Sequence, residues 1–327
     1  MISLSLWKRF SIALIPVLLT ILLLWTVAIK IPQLFLCERF FSGGCWLQIA
    51  FAASYAFLLC WKMQDIRLRN RWRRYSWLLF SIVFFGQLLL GTMVDNVFLL
   101  SGELHLSVPM MIIGGAVYRW ELGFMPVLLI VTILISGPAW CSHLCYFGAL
   151  DNASAGTLLK PEPYKFRQPM RYGILILTVF GAFIAKWSGL PSVLALGTAV
   201  LFGVVGLFII IISRKRHVMM HCSAYCPVGA VVSISKYISP FRFKIDKNAC
   251  TSCGACISKC RYGALSKEQI KKGSLGINCS YCGDCMATCR HNALKYSFLN
   301  MDASRSEKLW LIIVITLQAC FMVVARV

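Results

Sequence analysis

Eight cysteines in the last third of this chain fall into two runs of identical spacing. Cys250, Cys253, Cys256 and Cys260 read C-x2-C-x2-C-x3-C, and Cys279, Cys282, Cys285 and Cys289 repeat it 29 positions later. Thiolates so spaced hold a cubane [4Fe–4S] cluster. Three ligands come from one tight loop, and the fourth arrives from a short helix after the opposite loop. Where two such runs occur together, the fourth cysteine of each ligates the other cluster. The expected sets are Cys250, Cys253, Cys256 and Cys289 for cluster 1, and Cys279, Cys282, Cys285 and Cys260 for cluster 2. Zinc sites use C-x2-C pairs at long separation instead. Cys260 and Cys289 are each followed by Arg, where such runs usually carry Pro, but no ligand is lost.

Four more cysteines form a second repeat. Residues 141–150 read CSHLCYFGAL and residues 222–231 read CSAYCPVGAV, both C-S-x-x-C-x-x-G-A-apolar. C-x3-C spacing is expected to place both sulfurs on one side of a helical turn. Cys141, Cys145, Cys222 and Cys226 then converge near the clusters if the two repeats face each other. Such thiols ligate a third metal centre, cycle as dithiol and disulfide, or pack as small hydrophobes. His143, inside the first motif, is a candidate to accept a proton near neutral pH; the alternative is a solvated histidine at the membrane interface. His217 and His221 precede Cys222, but bis-histidine haem in bundles needs histidines on separate spans. No span here carries a central histidine, so no haem is expected.

The elements that position these residues are hydrophobic. Of 327 residues, 59% are hydrophobic and 14% charged, with a net charge of +21. Mean hydropathy is +0.74, well outside the range of soluble domains. The charge invites a nucleic-acid reading, but the cations flank apolar runs in short loops, as the positive-inside rule describes. Six or seven spans are predicted, near 10–29, 46–61, 76–94, 122–138, 172–188, 192–213 and 308–325, each about the ~17–25 residues that cross a bilayer. The segment 97–118, with Glu103 and His105, reads as re-entrant or surface-lying. Asp95, Glu103, His105 and Glu121 are either functional charges at membrane depth or solvated loop residues. The first apolar run lacks a small-residue cleavage site and reads as a helix, not a signal peptide. Basic segments 62–74, 160–171 and 214–216 fall on one face if the N-terminus is cytoplasmic. The ferredoxin-like region then lies in the cytoplasm, where thiolate-ligated clusters are kept reduced, and the C-terminus lies outside.

The expected fold is an integral membrane α-helical bundle with an α+β two-cluster ferredoxin-like domain. Its parts are a two-span hairpin over 1–75, a membrane core with both C-x3-C motifs over 76–240, the cluster domain over 241–300, and a last helix over 301–327.

Over about 75–297 the pattern resembles the NapH-type membrane quinol dehydrogenases, with related cores in NosR, MauN and CcoG proteins. Helices, two C-x3-C-P motifs and a C-terminal two-cluster ferredoxin carry the resemblance. Cys222, Cys226 and Pro227 match fully, whereas Tyr146 stands where the first motif would have Pro. The resemblance implies a prokaryotic cytoplasmic-membrane protein that oxidises a quinol and passes electrons through two [4Fe–4S] clusters to a redox partner complex. A maturation factor that reduces a metal or disulfide for another respiratory enzyme is the alternative. Lys259, Arg261, Lys271, Lys272 and Arg290 either favour an acidic partner surface or only follow the positive-inside pattern.

Overall fold

The computed structural model describes residues 6–99, 108–156 and 160–324. In chain order its main elements are α1 (Leu6–Lys30), α2 (Gly44–Met63), α3 (Ile66–Met93), α4 (Phe124–Ser136), α5 (Tyr146–Ala155), α6 (Arg167–Trp187), α7 (Ser192–Arg216), α8 (Pro227–Ile238), β1 (Phe241–Ile245), β2 (Leu294–Phe298) and α9 (Ala303–Val324). Among the described residues seven helical segments are long and apolar enough to cross a membrane, the fourth running from Phe124 to Leu144. Their outward faces carry exposed Leu18, Leu22, Leu177, Phe180, Leu201 and Phe208. Such a surface suits lipid and not water.

The chain divides into two compact units, one of Met1–His105 with Asn300–Val327 and one of Leu106–Leu299. The first packs α1, α2, α3 and α9. Ala52, Ala53 and Ala56 are buried along α2, small residues that let helix backbones approach closely. Leu24, Phe35, Ile49 and Val323 close one end. The basic stretch expected as a loop is mostly the start of α3. Asp65 caps that helix by accepting a hydrogen bond from the Arg67 N–H at 2.9 Å. Arg69 and Arg73 are buried within the unit, and Arg69 pairs with Glu307 of α9 at 2.6 Å. Asp95 is exposed and accepts from the Val97 N–H, as a solvated capping residue does. Glu103 and His105 lie outside the described residues.

The second unit joins membrane helices to the cysteine loops. Part of the segment expected to be re-entrant is described, and residues 109–119 are helical, with a π-turn at Met111–Gly115. Glu121 is exposed just beyond. β1 and β2 pair antiparallel, with Phe241 opposite Phe298, Phe243 opposite Tyr296 and Ile245 opposite Leu294. Alternation puts Phe241, Phe243, Ile245, Leu294 and Tyr296 on the buried face. This ribbon brackets both cysteine runs.

Candidate iron–sulfur centres

The two cysteine loops share one backbone course. Ser252 and Tyr281, each two residues after the first cysteine of a run, both take φ of 56°. Gly254 and Gly283 follow at 75° and 77°. Left-handed conformations are costly for side chains other than glycine, so both loops hold the same strained wrap. The last cysteines are fixed alike: the Cys260 thiol accepts the Ala264 N–H at 3.1 Å, and the Cys289 thiol accepts the Ala293 N–H at 3.4 Å.

The strand pair brings the runs together crosswise. Cys250, Cys253, Cys256 and Cys289 line one cavity of about 400 Å³. Cys260, Cys279, Cys282 and Cys285 line another of about 330 Å³. Among the described residues no three His, Cys, Asp or Glu side chains close on a single ion. Four thiols spread around a cavity fit a multi-atom cubane better than zinc, whose ligands sit at about 2.0–2.3 Å from the metal. Cys253 of the first set is exposed and Cys285 of the second is buried, so the first cavity is the outer one.

Both C-x3-C motifs also fold identically, but not as expected. Trp140–Leu144 and His221–Tyr225 are each one π-turn. The Cys145 N–H donates to the Trp140 carbonyl at 3.1 Å and the Cys226 N–H to the His221 carbonyl at 2.8 Å. The chain then extends at the second cysteine, with ψ of 117° at Cys145 and 119° at Cys226. Cys145 and Cys226 therefore leave the turn and cap α5 and α8. Insertions of this kind often mark functional sites. The Cys226 sulfur accepts the Gly229 N–H at 3.4 Å, in the positive field of a helix N-terminus. Pro227 holds the first position of α8, where no N–H is required. Tyr146 holds the equivalent position of α5, so its departure from Pro leaves the cysteine geometry unchanged.

These four thiols lie within electrostatic reach of one another. Burial pushes the Cys222 thiol up, reinforced by Asp151 and by Cys145, Cys141 and Cys226. Burial likewise raises Cys145 to about 11 and Cys226 to about 12. Free thiols there stay protonated at neutral pH and make poor nucleophiles, whereas metal binding draws the protons off.

The cluster loops dock directly on these motifs. The Tyr262 hydroxyl donates to the Cys141 carbonyl at 2.6 Å, and the Ser142 hydroxyl donates to the Ser280 carbonyl at 2.9 Å. Arg167 donates to the Gly263 carbonyl at 2.6 Å. One cavity of about 250 Å³ is lined by Cys141, Cys222 and Cys279 together. The second cysteine set and the C-x3-C thiols are thus neighbours.

One histidine reading changes. His143 is 1% exposed, with its Nδ1 hydrogen-bonded to Ser142 at 2.9 Å. It is no solvated interfacial residue. His221 stacks on Phe147 and shares a hydrogen bond with the Gly206 carbonyl, and burial holds its imidazole down to about 4. Arg261, one of the basic residues weighed for partner attraction, is buried and donates to the His217 carbonyl. Lys259, Lys271, Lys272 and Arg290 remain exposed.

Asp151 escaped sequence reasoning, and Arg171 enters it only as one cation of the basic segment 160–171. Asp151 is fully buried in α5. It accepts from the Ser213 hydroxyl at 2.5 Å and the Cys222 N–H at 2.9 Å, tying the two motifs together. Burial raises its carboxyl to about 6, against the lowering effect of those two donors. Its signal was a lone acid ten residues after Cys141 in an apolar stretch.

Two family models, each described as a 4Fe-4S binding domain, match the chain. One covers residues 118–160 and 196–247, which contain both C-x3-C motifs. The other covers residues 243–266, which contain the first C-x2-C-x2-C-x3-C run. An uncharacterized protein of Methanocaldococcus jannaschii is 29% identical over 147 residues, 41% of this chain and 55% of that protein. The chain therefore spans about half the length of the curated relative it matches. No solved structure matches. Apolar spans combined with 4Fe-4S binding domains are the features of a membrane iron–sulfur electron-transfer protein.

Proposed function

We propose that the chain conducts electrons between a membrane quinone and a redox partner through three centres in line. Cys250, Cys253, Cys256 and Cys289 would hold the outer [4Fe–4S] cluster, and Cys260, Cys279, Cys282 and Cys285 the middle one. Cys141, Cys145, Cys222 and Cys226 would hold a third at the ends of the membrane helices. The shared cavity lined by Cys279, Cys141 and Cys222 carries this reading, because it brings one cysteine of the middle set beside two of the C-x3-C cysteines. Each cluster supplies a one-electron couple, so centres in series separate the two electrons of a quinol.

The chain's own residues set the path. Tyr262, Ser142 and Arg167 hold the cluster loops against the helix ends. Asp151 fixes one C-x3-C motif to the other. His143, two residues from Cys141, is the residue we assign to take the quinol proton. The Lys and Arg distribution supports a cytoplasmic cluster region in a prokaryotic inner membrane. Exposed Lys259, Lys271, Lys272 and Arg290 suit an acidic partner. Burial of Cys222 and Cys226 argues against maturation chemistry, which needs thiols that reach a client.

The test is iron content and low-temperature EPR of the anaerobic protein before and after a reduced quinol is added. About twelve irons per chain, four per cubane, and new reduced-cluster signals on quinol addition are expected. About eight irons would remove the third centre. Clusters that respond to dithionite but not to quinol would remove the quinone.

A further inference from the structure

Arg171 lies in the first turns of α6 and is 3% exposed. One terminal nitrogen donates to the Ser233 hydroxyl at 3.0 Å, and its guanidinium lies over the Tyr172 ring. Its Nε has no hydrogen-bond partner, and among the described residues no carboxylate pairs with it. A guanidinium buried this way is costly unless an anion faces it. At a membrane helix such a charge marks a functional site.

Beside it lie cysteines of the two C-x3-C motifs. Arg171 lines the cavity that Cys141 and Cys222 also line. A methyl built on Gly229 would lie 3.8 Å from Arg171 Cδ and 3.6 Å from Cys226 Cβ. Neither four thiols nor two disulfides carry charge. A [4Fe–4S] core with four thiolates carries net negative charge in either redox state. Asn278 and Ser280, both buried, line the same cavity with side-chain polar atoms that also lack partners.

We propose that Arg171 is the counter-ion of an anionic cluster held by Cys141, Cys145, Cys222 and Cys226, and that its charge raises that cluster's reduction potential. This rests on the third centre proposed above. Arg171 acts as a positioning and tuning residue, not as a ligand. Reduction adds one negative charge, so a neighbouring cation favours the reduced form.

The experiment is an EPR-monitored redox titration of the full chain, wild type beside Arg171→Gln and Arg171→Lys, with iron counted in each. Arg171→Gln should shift the third centre's reduction equilibrium at least tenfold toward the oxidised form, a fall of about 59 mV for a one-electron couple. Arg171→Lys should restore most of it, and the outer cluster should not move. If Arg171→Gln instead loses about four irons while Arg171→Lys keeps them, charge is required for assembly and the proposal also stands. Loss of the cluster in both variants would show that shape alone matters and would overturn it. An unchanged potential in Arg171→Gln, with all three centres present, would overturn the counter-ion and leave the third centre intact. About eight irons in the wild type would overturn both.

Discussion

The crossed wiring of the two cysteine runs has a sharp consequence. Cys260 belongs to the first run in sequence, yet it lines the cavity of Cys279, Cys282 and Cys285. Replacing it by Ser should therefore remove the middle cluster and spare the outer one. The size of the effect follows from which thiols share a cavity. Cys260→Ser and Cys285→Ser should each lose about four irons per chain, and the double variant also about four, because both act on one cubane. Cys260→Ser combined with Cys253→Ser should lose about eight, because Cys253 lines the other cavity. Iron and acid-labile sulfide per chain, with EPR after dithionite, read the outcome. The reasoning fails if Cys260→Ser with Cys285→Ser loses about eight irons while Cys260→Ser with Cys253→Ser loses about four.

Other perturbations test neighbouring parts of the account. Gly254→Ala and Gly283→Ala should both weaken cluster retention against a chelator, by about 1–2 kcal/mol for the left-handed backbone. Gly283→Ala should be worse by about 1–3 kcal/mol of overpacking, since its methyl would lie 2.9 Å from the Tyr296 hydroxyl while that of Gly254→Ala meets nothing nearer than 3.7 Å. Tyr262→Phe removes the hydrogen bond to the Cys141 carbonyl and should cost about 1 kcal/mol of docking, seen as a lower melting midpoint of the cluster region with iron unchanged. Asp151 ionises as pH rises through about 6, adding a negative charge beside Cys222. The third centre's potential should therefore fall as pH is raised from 5 to 7 and lie flat in Asp151→Asn. An equal slope in both proteins would contradict the assignment.

The two cysteine runs were legible because cluster spacing is local, three thiols to a loop and the pattern repeated. The spans were legible because bilayer thickness fixes their length. The C-x3-C turn was misread because three intervening residues fit an α-turn and a π-turn alike. Only the i to i−5 bonds at Cys145 and Cys226, and the extended backbone after them, tell the two apart. Basic residues were the least legible class. Arg69, Arg73 and Arg171 read as loop charges by position, and Arg261 as a cation facing a partner or following the positive-inside pattern, yet all are buried. Arg171 lies 62 residues from Ser233, and Asp151 lies 71 from Cys222. Contacts at such separations leave no local trace, although they decide which charges face the site.

The most direct test of the in-line arrangement removes its middle member. In Cys285→Ser, lacking the cluster between the outer set and the membrane thiols, rapid mixing with a reduced quinol under anaerobic conditions should reduce the third centre and leave the outer cluster oxidised, while dithionite reduces both. Outer-cluster reduction by quinol at the wild-type rate in that variant would contradict the path proposed here.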